Sequence, residues 1–206
     1  MADVAKQISE IGQSLWLDYI SRDLLNSGKL SRLVETGVIT GMTSNPSIFE
    51  KAISGSSDYE SDLQKILKSG ETDPYNSFLR LAVDDIRAAC DVLHSVYKRT
   101  DAVDGYVSLE VPPGIEDDVQ ETIDEATRLF DLVDRQNVMI KVPGTNAGVQ
   151  SLTELTSRGI NVNVTLLFSV GMYEKVAHAY IEAVSYTHLR AHETRHDLVC
   201  RLLLEK

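Results

Sequence analysis

The chain has only two cysteines in 206 residues, Cys90 and Cys200. They stand at neither metal-ligand nor disulfide spacing, so a reducing compartment, the cytoplasm, is the expected location. Long apolar runs are missing as well. None approaches the ~20 residues that span a bilayer, and the opening MADVAKQISEIG has no signal-peptide apolar core. Basic charge is scarce: 20 Lys and Arg against 31 Asp and Glu leave a net charge of −11. That balance argues against a nucleic-acid partner, whose phosphates require clustered cations, and against an anionic membrane surface. It leaves room for a small anionic substrate, because a pocket can be locally basic on an acidic protein. No G-x-G-x-x-G and no G-x-x-x-x-G-K-[ST] follows a strand-like run, so nucleotide-binding α/β architectures lack support.

Five short β-like runs are present: LWLDYI (15–20), GMTSN (41–45), GYVSLEV (105–111), NVMIKV (137–142) and INVNVTLL (160–167). Several end at turn signals, Asn45-Pro46, Pro112-Pro113-Gly114 and Pro143-Gly144. Helical patterns separate them. Asp73 is placed to cap, and Pro74 to open, a helix with Leu79, Val83, Ile86, Leu93 and Tyr97 on one face. Residues 115–135 repeat the pattern with Val119, Ile123, Ala126, Phe130 and Val133, a third pattern covers 149–158 and stops at Gly159, and a fourth covers about 170–184. Strands alternating with helices predict βα units around a parallel sheet. The expected fold class is α/β, an incomplete (β/α)8 barrel with about five of the eight units such a barrel contains.

Side chains alternate across a strand, so the apolar set identifies the helix-covered side. In NVMIKV, Val138, Ile140 and Val142 point outward and Met139 and Lys141 inward. The same rule turns Ser108 and Glu110, then Asn161, Asn163 and Thr165, then Asp18, Thr43 and Asn45 inward. Every strand thus carries a polar group near its carboxyl end, where barrel enzymes build their sites. The bland readings remain beside this one: Lys141 and Glu110 as a structural ion pair, Asn45 as a turn residue before Pro46, Asn163 and Thr165 as partners of local backbone. A desolvated lysine is a neutral amine nucleophile suited to Schiff-base formation with a ketone, carboxylates move protons, and amides hold hydroxyls. Carbon–carbon chemistry on a sugar needs that set and no metal or other cofactor.

At these residues the sequence resembles the transaldolase family. GMTSNPSIFEKAI, YVSLEV, MIKVPGT and GINVNVTLLFS each match a family signature in order, and the resemblance covers residues 11–184. The first and third are similar to the bacterial branch that includes fusions to glucose-6-phosphate isomerase. The resemblance implies that Lys141 forms the Schiff base with a ketose phosphate and that Asp18 takes the C4 hydroxyl proton as the C3–C4 bond breaks. It implies that Glu110 acts through a water held with Thr165, and that Asn45 and Asn163 bind the dihydroxyacetone hydroxyls. The partners implied are sugar phosphates of the pentose phosphate pathway. No oligomeric state follows.

The family's phosphate-binding Ser and Arg lie on later strands than those matched, so the chain is expected to be truncated and to bind sugar phosphates weakly. Arg22 and Lys51 are expected on exposed helices. From residue 185 the composition changes: 185–206 hold three of the five histidines and one of the two cysteines, and this tail is expected to be foreign to the barrel. Its HETRH (His192–His196) fits the zinc-protease pattern H-E-x-x-H, but with only ten residues after His196 a solvated helix explains it better, and no metal site is assigned.

Overall fold

The computed structural model describes residues 2–186; Cys200, the His192–His196 motif and all but the start of the tail lie outside the described residues. The elements run α1 (Ala2–Glu10), β1 (Trp16–Asp18), α2 (Arg22–Asn26), α3 (Lys29–Glu35), β2 (Gly41–Thr43), α4 (Pro46–Ser54), a 3-10 turn (Ser57–Tyr59), α5 (Glu60–Lys68), α6 (Pro74–Arg99), β3 (Val107–Glu110), α7 (Val119–Val133), β4 (Val138–Pro143), α8 (Asn146–Ser157) and β5 (Val162–Thr165). Helical backbone over residues 170–186 forms α9. The strands form one sheet in the order β1-β2-β3-β4-β5, with β1, β2 and β3 paired in parallel. Helices connect successive parallel neighbours, the connectivity of part of a (β/α)8 barrel. All five strand-like runs contain a strand; most are shorter than the run, while β4 reaches one residue past it, to Pro143. Chain contacts separate two compact units, one of residues up to Pro112 with Arg128–Ile140, the other of Pro113–Thr127 with the chain from Lys141 onward.

In the first unit, α6 is the main covering element. Its Asp73 cap accepts from the Tyr75 and Asn76 N–H groups, Pro74 opens it, and Leu79, Val83, Ile86, Cys90 and Leu93 are buried at three- and four-residue spacing. That face packs against β3, whose Val107 and Leu109 are buried. Burial also pushes the Cys90 thiol up to about 12, which makes it a packing group rather than a reactive one. Asn137, buried just before β4, donates from Nδ2 to the carbonyls of Cys90 (2.9 Å) and Gly105 (2.8 Å). One amide thereby ties the start of β4 to α6 and to the entry of β3. Gly105 has φ +89°, and a Cβ there would sit 2.2 Å from the Tyr97 nitrogen, so only glycine fits this turn.

In the second unit, α7 begins at Val119, later than the periodicity from residue 115 predicts. Gly114 at φ +99° still turns the chain there, and the Asp118 carboxylate caps the helix by accepting from the Glu121 N–H at 2.9 Å. Helix α8 begins earlier than predicted, at Asn146, because Thr145 caps it through the Gly148 N–H. It ends before Gly159, whose φ of +82° completes the C-terminal turn as expected. Ser151 on α8 donates to the Val119 carbonyl at 3.3 Å, joining the two helices. From Leu166 onward the unit is apolar and open: Leu166, Phe168, Val170, Tyr173, Tyr180, Ile181 and Tyr186 are all exposed, Phe168 at 89%.

Among the described residues no helix is long and apolar enough to cross a membrane. Replacing Asp73 with Ala removes both capping bonds of α6 and is expected to lower stability by about 1 kcal/mol, read from urea denaturation. The terminal position of β5 in the sheet and the apolar run after it predict concentration-dependent association of the isolated chain. Phe168→Asp with Val170→Lys is expected to shift the sedimentation profile toward smaller species; a sharp cooperative melt from a soluble monomer of the unsubstituted chain contradicts the expectation.

Candidate active site

Of the sequence-predicted residues, three in each unit, Asp18, Glu110 and Thr165 end their strands, Asn45 lies two residues past β2, and Lys141 and Asn163 lie within β4 and β5. In the first unit, register aligns them. Asp18 pairs with Thr43, and Thr43 with Ser108. Two residues further on, by the period-two alternation, Asn45 and Glu110 follow Thr43 and Ser108 on the same face. Asp18 is exposed at the tip of β1, and among the described residues no side chain pairs with its carboxylate. Glu110 and Asn45 are half-buried. Ser44, wholly buried between Thr43 and Asn45, donates to the Ser108 carbonyl at 2.9 Å and fixes the exit of β2 against β3. Sequence reading passed over Ser44. Its position next to Asn45, pointing to the opposite side of the strand, was the available signal.

Asn45 does two jobs at once. Its backbone is extended (φ −149°, ψ 167°), it precedes Pro46 at the first turn of α4, and its Oδ1 accepts from the Ile48 N–H at 2.9 Å. It is the turn residue that the bland reading described. The cap uses the oxygen alone, so the Nδ2 donors of the same amide remain outside that bond.

In the second unit the central residue is Lys141, 8% exposed on β4. Its neighbours Ile140 and Val142 are fully buried, while Met139, two positions earlier on its own side of the strand, is half-buried. Ile140, Lys141 and Val142 are thus buried in succession. The Gly144 N–H donates to the Thr165 carbonyl at 2.8 Å. In a parallel ladder that bond sets Pro143 level with Thr165, and so Lys141 level with Asn163 on the same face. Asn163 and Thr165 are half-buried, and the Thr165 hydroxyl reaches the Val142 carbonyl at 3.4 Å.

The turn after Lys141 is held tightly. Thr145 accepts from the Gly148 N–H at 3.0 Å and donates to the Glu116 carbonyl at 2.7 Å. Gly148 is required by close approach, since an added Cβ would lie 1.9 Å from the Pro143 carbonyl oxygen; at Gly144 an added Cβ would displace the Leu167 side chain, 2.6 Å away. On the neighbouring strand, Leu166 sits at φ +61°, an uncommon conformation for a bulky residue, and turns the chain immediately after Thr165.

One expectation is corrected. Arg22 lies on α2 but is buried, 8% exposed, with its guanidinium ion-paired to Asp85 at 3.0 Å and to Asp62. A long cation in a short helix reads as solvated until its partner is known, and Asp85 is 63 residues away. Lys51 is exposed on α4, as expected. With its guanidinium committed to two carboxylates, Arg22 does not serve as a phosphate clamp.

The chain is similar in sequence to known proteins. The family model for transaldolase/fructose-6-phosphate aldolase matches residues 15–192. Transaldolase 2 of Nostoc sp. strain PCC 7120 is 48% identical over 178 residues, 86% of this chain and 46% of that protein. The transaldolase of Thiobacillus denitrificans is 47% identical over 182 residues, 88% of this chain and 50% of that protein. That of Acidothermus cellulolyticus is 43% identical over 198 residues, 96% and 52% respectively. The chain spans about half the length of these relatives. On a match that takes in well over half of its residues, the chain belongs to the transaldolase/fructose-6-phosphate aldolase family.

Proposed function

We propose that the chain carries the Schiff-base half of a transaldolase, transferring a dihydroxyacetone unit from a ketose phosphate to an aldose phosphate in the pentose phosphate pathway of the cytoplasm. The observation that supports this most directly is Lys141, a lysine nine-tenths buried near the carboxyl end of a central strand in a chain of this family. A lysine amine is a nucleophile that forms a Schiff base with a ketone.

The roles in these steps are those that the resemblance to the family implies for the matching positions. The Lys141 amine adds to the C2 ketone, and loss of water gives an iminium. Asp18 takes the proton of the C4 hydroxyl, the C3–C4 bond breaks, and its electron pair passes to the iminium nitrogen as the aldose phosphate leaves. The resulting three-carbon enamine adds to the acceptor aldehyde, and hydrolysis returns the amine. Glu110 and the Thr165 hydroxyl are assigned the proton transfers of iminium formation and hydrolysis. Asn163, level with Lys141 on the neighbouring strand, and the Nδ2 donors of Asn45 hold the dihydroxyacetone hydroxyls.

The relatives are about twice as long, which supports reading the five βα units as the first part of a longer barrel, with the phosphate-binding groups supplied beyond them. The forms GMTSNPSIFEKAI and MIKVPGT support the branch that includes isomerase fusions. The change of composition at residue 185 supports a foreign origin for the tail, and the gene sequence past codon 184 tests that point. A second reading is favoured by the family description itself, which pairs transaldolase with fructose-6-phosphate aldolase. An aldolase would release the three-carbon unit to water instead of passing it on.

Incubation with fructose 6-phosphate and borohydride is expected to place a stable adduct on Lys141, seen by mass spectrometry and lost in Lys141→Met; an unmodified protein removes the enzymatic reading. Asp18→Asn is expected to keep the adduct while lowering C–C cleavage by about two to four orders of magnitude. Product formation that depends on an added aldose phosphate supports transfer, and free dihydroxyacetone without an acceptor supports the aldolase.

A further inference from the structure

Arg22, the first residue of α2 and four residues after Asp18, makes several directed contacts. Its Nε donates to Asp85 Oδ1 at 3.0 Å, its NH1 to the Asp58 carbonyl at 3.2 Å and to the Asp62 carboxylate, and its backbone N–H to the Tyr59 hydroxyl at 3.2 Å. The guanidinium carbon lies 4.4 Å above the Tyr59 ring, and the Tyr59 hydroxyl donates to Asp85 Oδ2 at 2.7 Å. Tyr59 is 1% and Asp85 3% exposed. Both oxygens of Asp85 are thus committed, one to each partner.

A buried ion pair of this kind is a poor way to gain stability, since apolar side chains of similar volume do as well or better. Desolvation works against both charges. It dominates at Asp85, whose carboxyl is held above the ordinary range although Tyr59 and Arg22 both donate to it. At Arg22 it is outweighed by the two carboxylates, and the guanidinium is held above its usual value. What the cluster supplies is direction: a planar fork fixes orientation as well as distance.

The neighbouring residues use that direction. Ile20 is fully buried, and Ser21 caps α2 by accepting from the Leu24 N–H at 3.2 Å. Asp18 therefore lies between the paired strand β1 on one side and the Arg22 anchor, four residues later, on the other. Its own carboxylate has no side-chain partner among the described residues, so the backbone must place it. We infer that Arg22, clamped by Asp85 and Tyr59, is a positioning residue that sets the place of Asp18 for C–C bond cleavage. The inference rests on the role of Asp18 proposed above.

The test uses the full chain, fructose 6-phosphate and borohydride, with mass spectrometry of the peptide containing Lys141. Borohydride gives hydride to an iminium and so traps whichever adduct is present. The six-carbon iminium precedes cleavage. Reprotonation of the enamine at carbon after cleavage gives the three-carbon iminium. Arg22→Met combined with Asp85→Leu removes both buried charges together, so neither is orphaned. In that variant the total adduct is expected to stay constant while the ratio of six-carbon to three-carbon adduct rises by between about tenfold and a hundredfold. Arg22→Lys, which keeps the charge and loses the fork, is expected to give a smaller rise in the same direction. An unchanged ratio in a variant that still forms the adduct overturns the inference and leaves the Schiff-base reading standing. Loss of cooperative melting together with loss of adduct in both variants makes Arg22 a stability residue only, and also overturns it. No adduct on the unsubstituted chain removes the proposed function, and the inference with it.

Discussion

Parallel pairing with a fixed register is the constraint on which the rest of this structure depends. A strand exposes its side chains with period two, so a slip of one residue would send every polar group to the helix-covered side. The register that puts Asp18 opposite Thr43 and Thr43 opposite Ser108 also puts the apolar Val107 and Leu109 under α6. Burial of those apolar groups and presentation of the polar ones are thus a single event. The same holds on β4, where Val138, Ile140 and Val142 are completely buried and Lys141 occupies the alternate side.

Register needs local enforcement because these strands are only three to six residues long. The enforcement comes from side-chain hydrogen bonds made across strand ends. Asn137 ties the entry of β4 to β3 and α6, Ser44 ties the exit of β2 to β3, and the Trp16 indole donates to Asp104 at 3.1 Å, just before Gly105. Gly41 lets the Trp16 ring lie flat on β2, since a Cβ there would meet the ring at 2.4 Å. Each bond is worth little in net stability, about 1 kcal/mol, but leaving any of these buried groups unpaired costs more. Misregistered pairings are penalised at several points at once.

The strands were legible because each is a short apolar run closed by Pro, Gly or Asn, and long α6 was legible because its cap, its Pro and its apolar stripe agree. Helices α2, α3, α4 and α5 were given no bounds, and three of the four bury few residues of their own: α4 only Phe49, α5 none, and α2 only Arg22 and Leu24. They are short, and even the stripe of α5, Leu63, Ile66 and Leu67, covers little more than one turn. The Arg22 cluster was hidden for a different reason. Arg22, Tyr59 and Asp85 are far apart in the chain, and nothing local distinguishes a cation that will be buried from one that will be solvated. The polar residues of the candidate site were readable because alternation is local, whereas the supports of the site are contacts between distant segments.

The loops after the strands show why candidate site residues and folding signals coincide here. Asn45 caps α4 through Ile48, and Thr145 caps α8 through Gly148. Ser21 caps α2 through Leu24. Each cap stands within a few residues of a strand end, because a βα connection this short has no other place to satisfy the first N–H groups of its helix. A cap fixes the backbone where the strand stops, and the side chains just before it inherit that fixity. Asn45 carries this furthest, using its oxygen for the helix while its nitrogen donors stay outside the capping bond. Replacing it by aspartate would preserve the cap and remove the donors, so cap and donor roles can be separated at a single position. The economy of a βα unit is that one short turn terminates a strand, begins a helix and orients the chemistry between them.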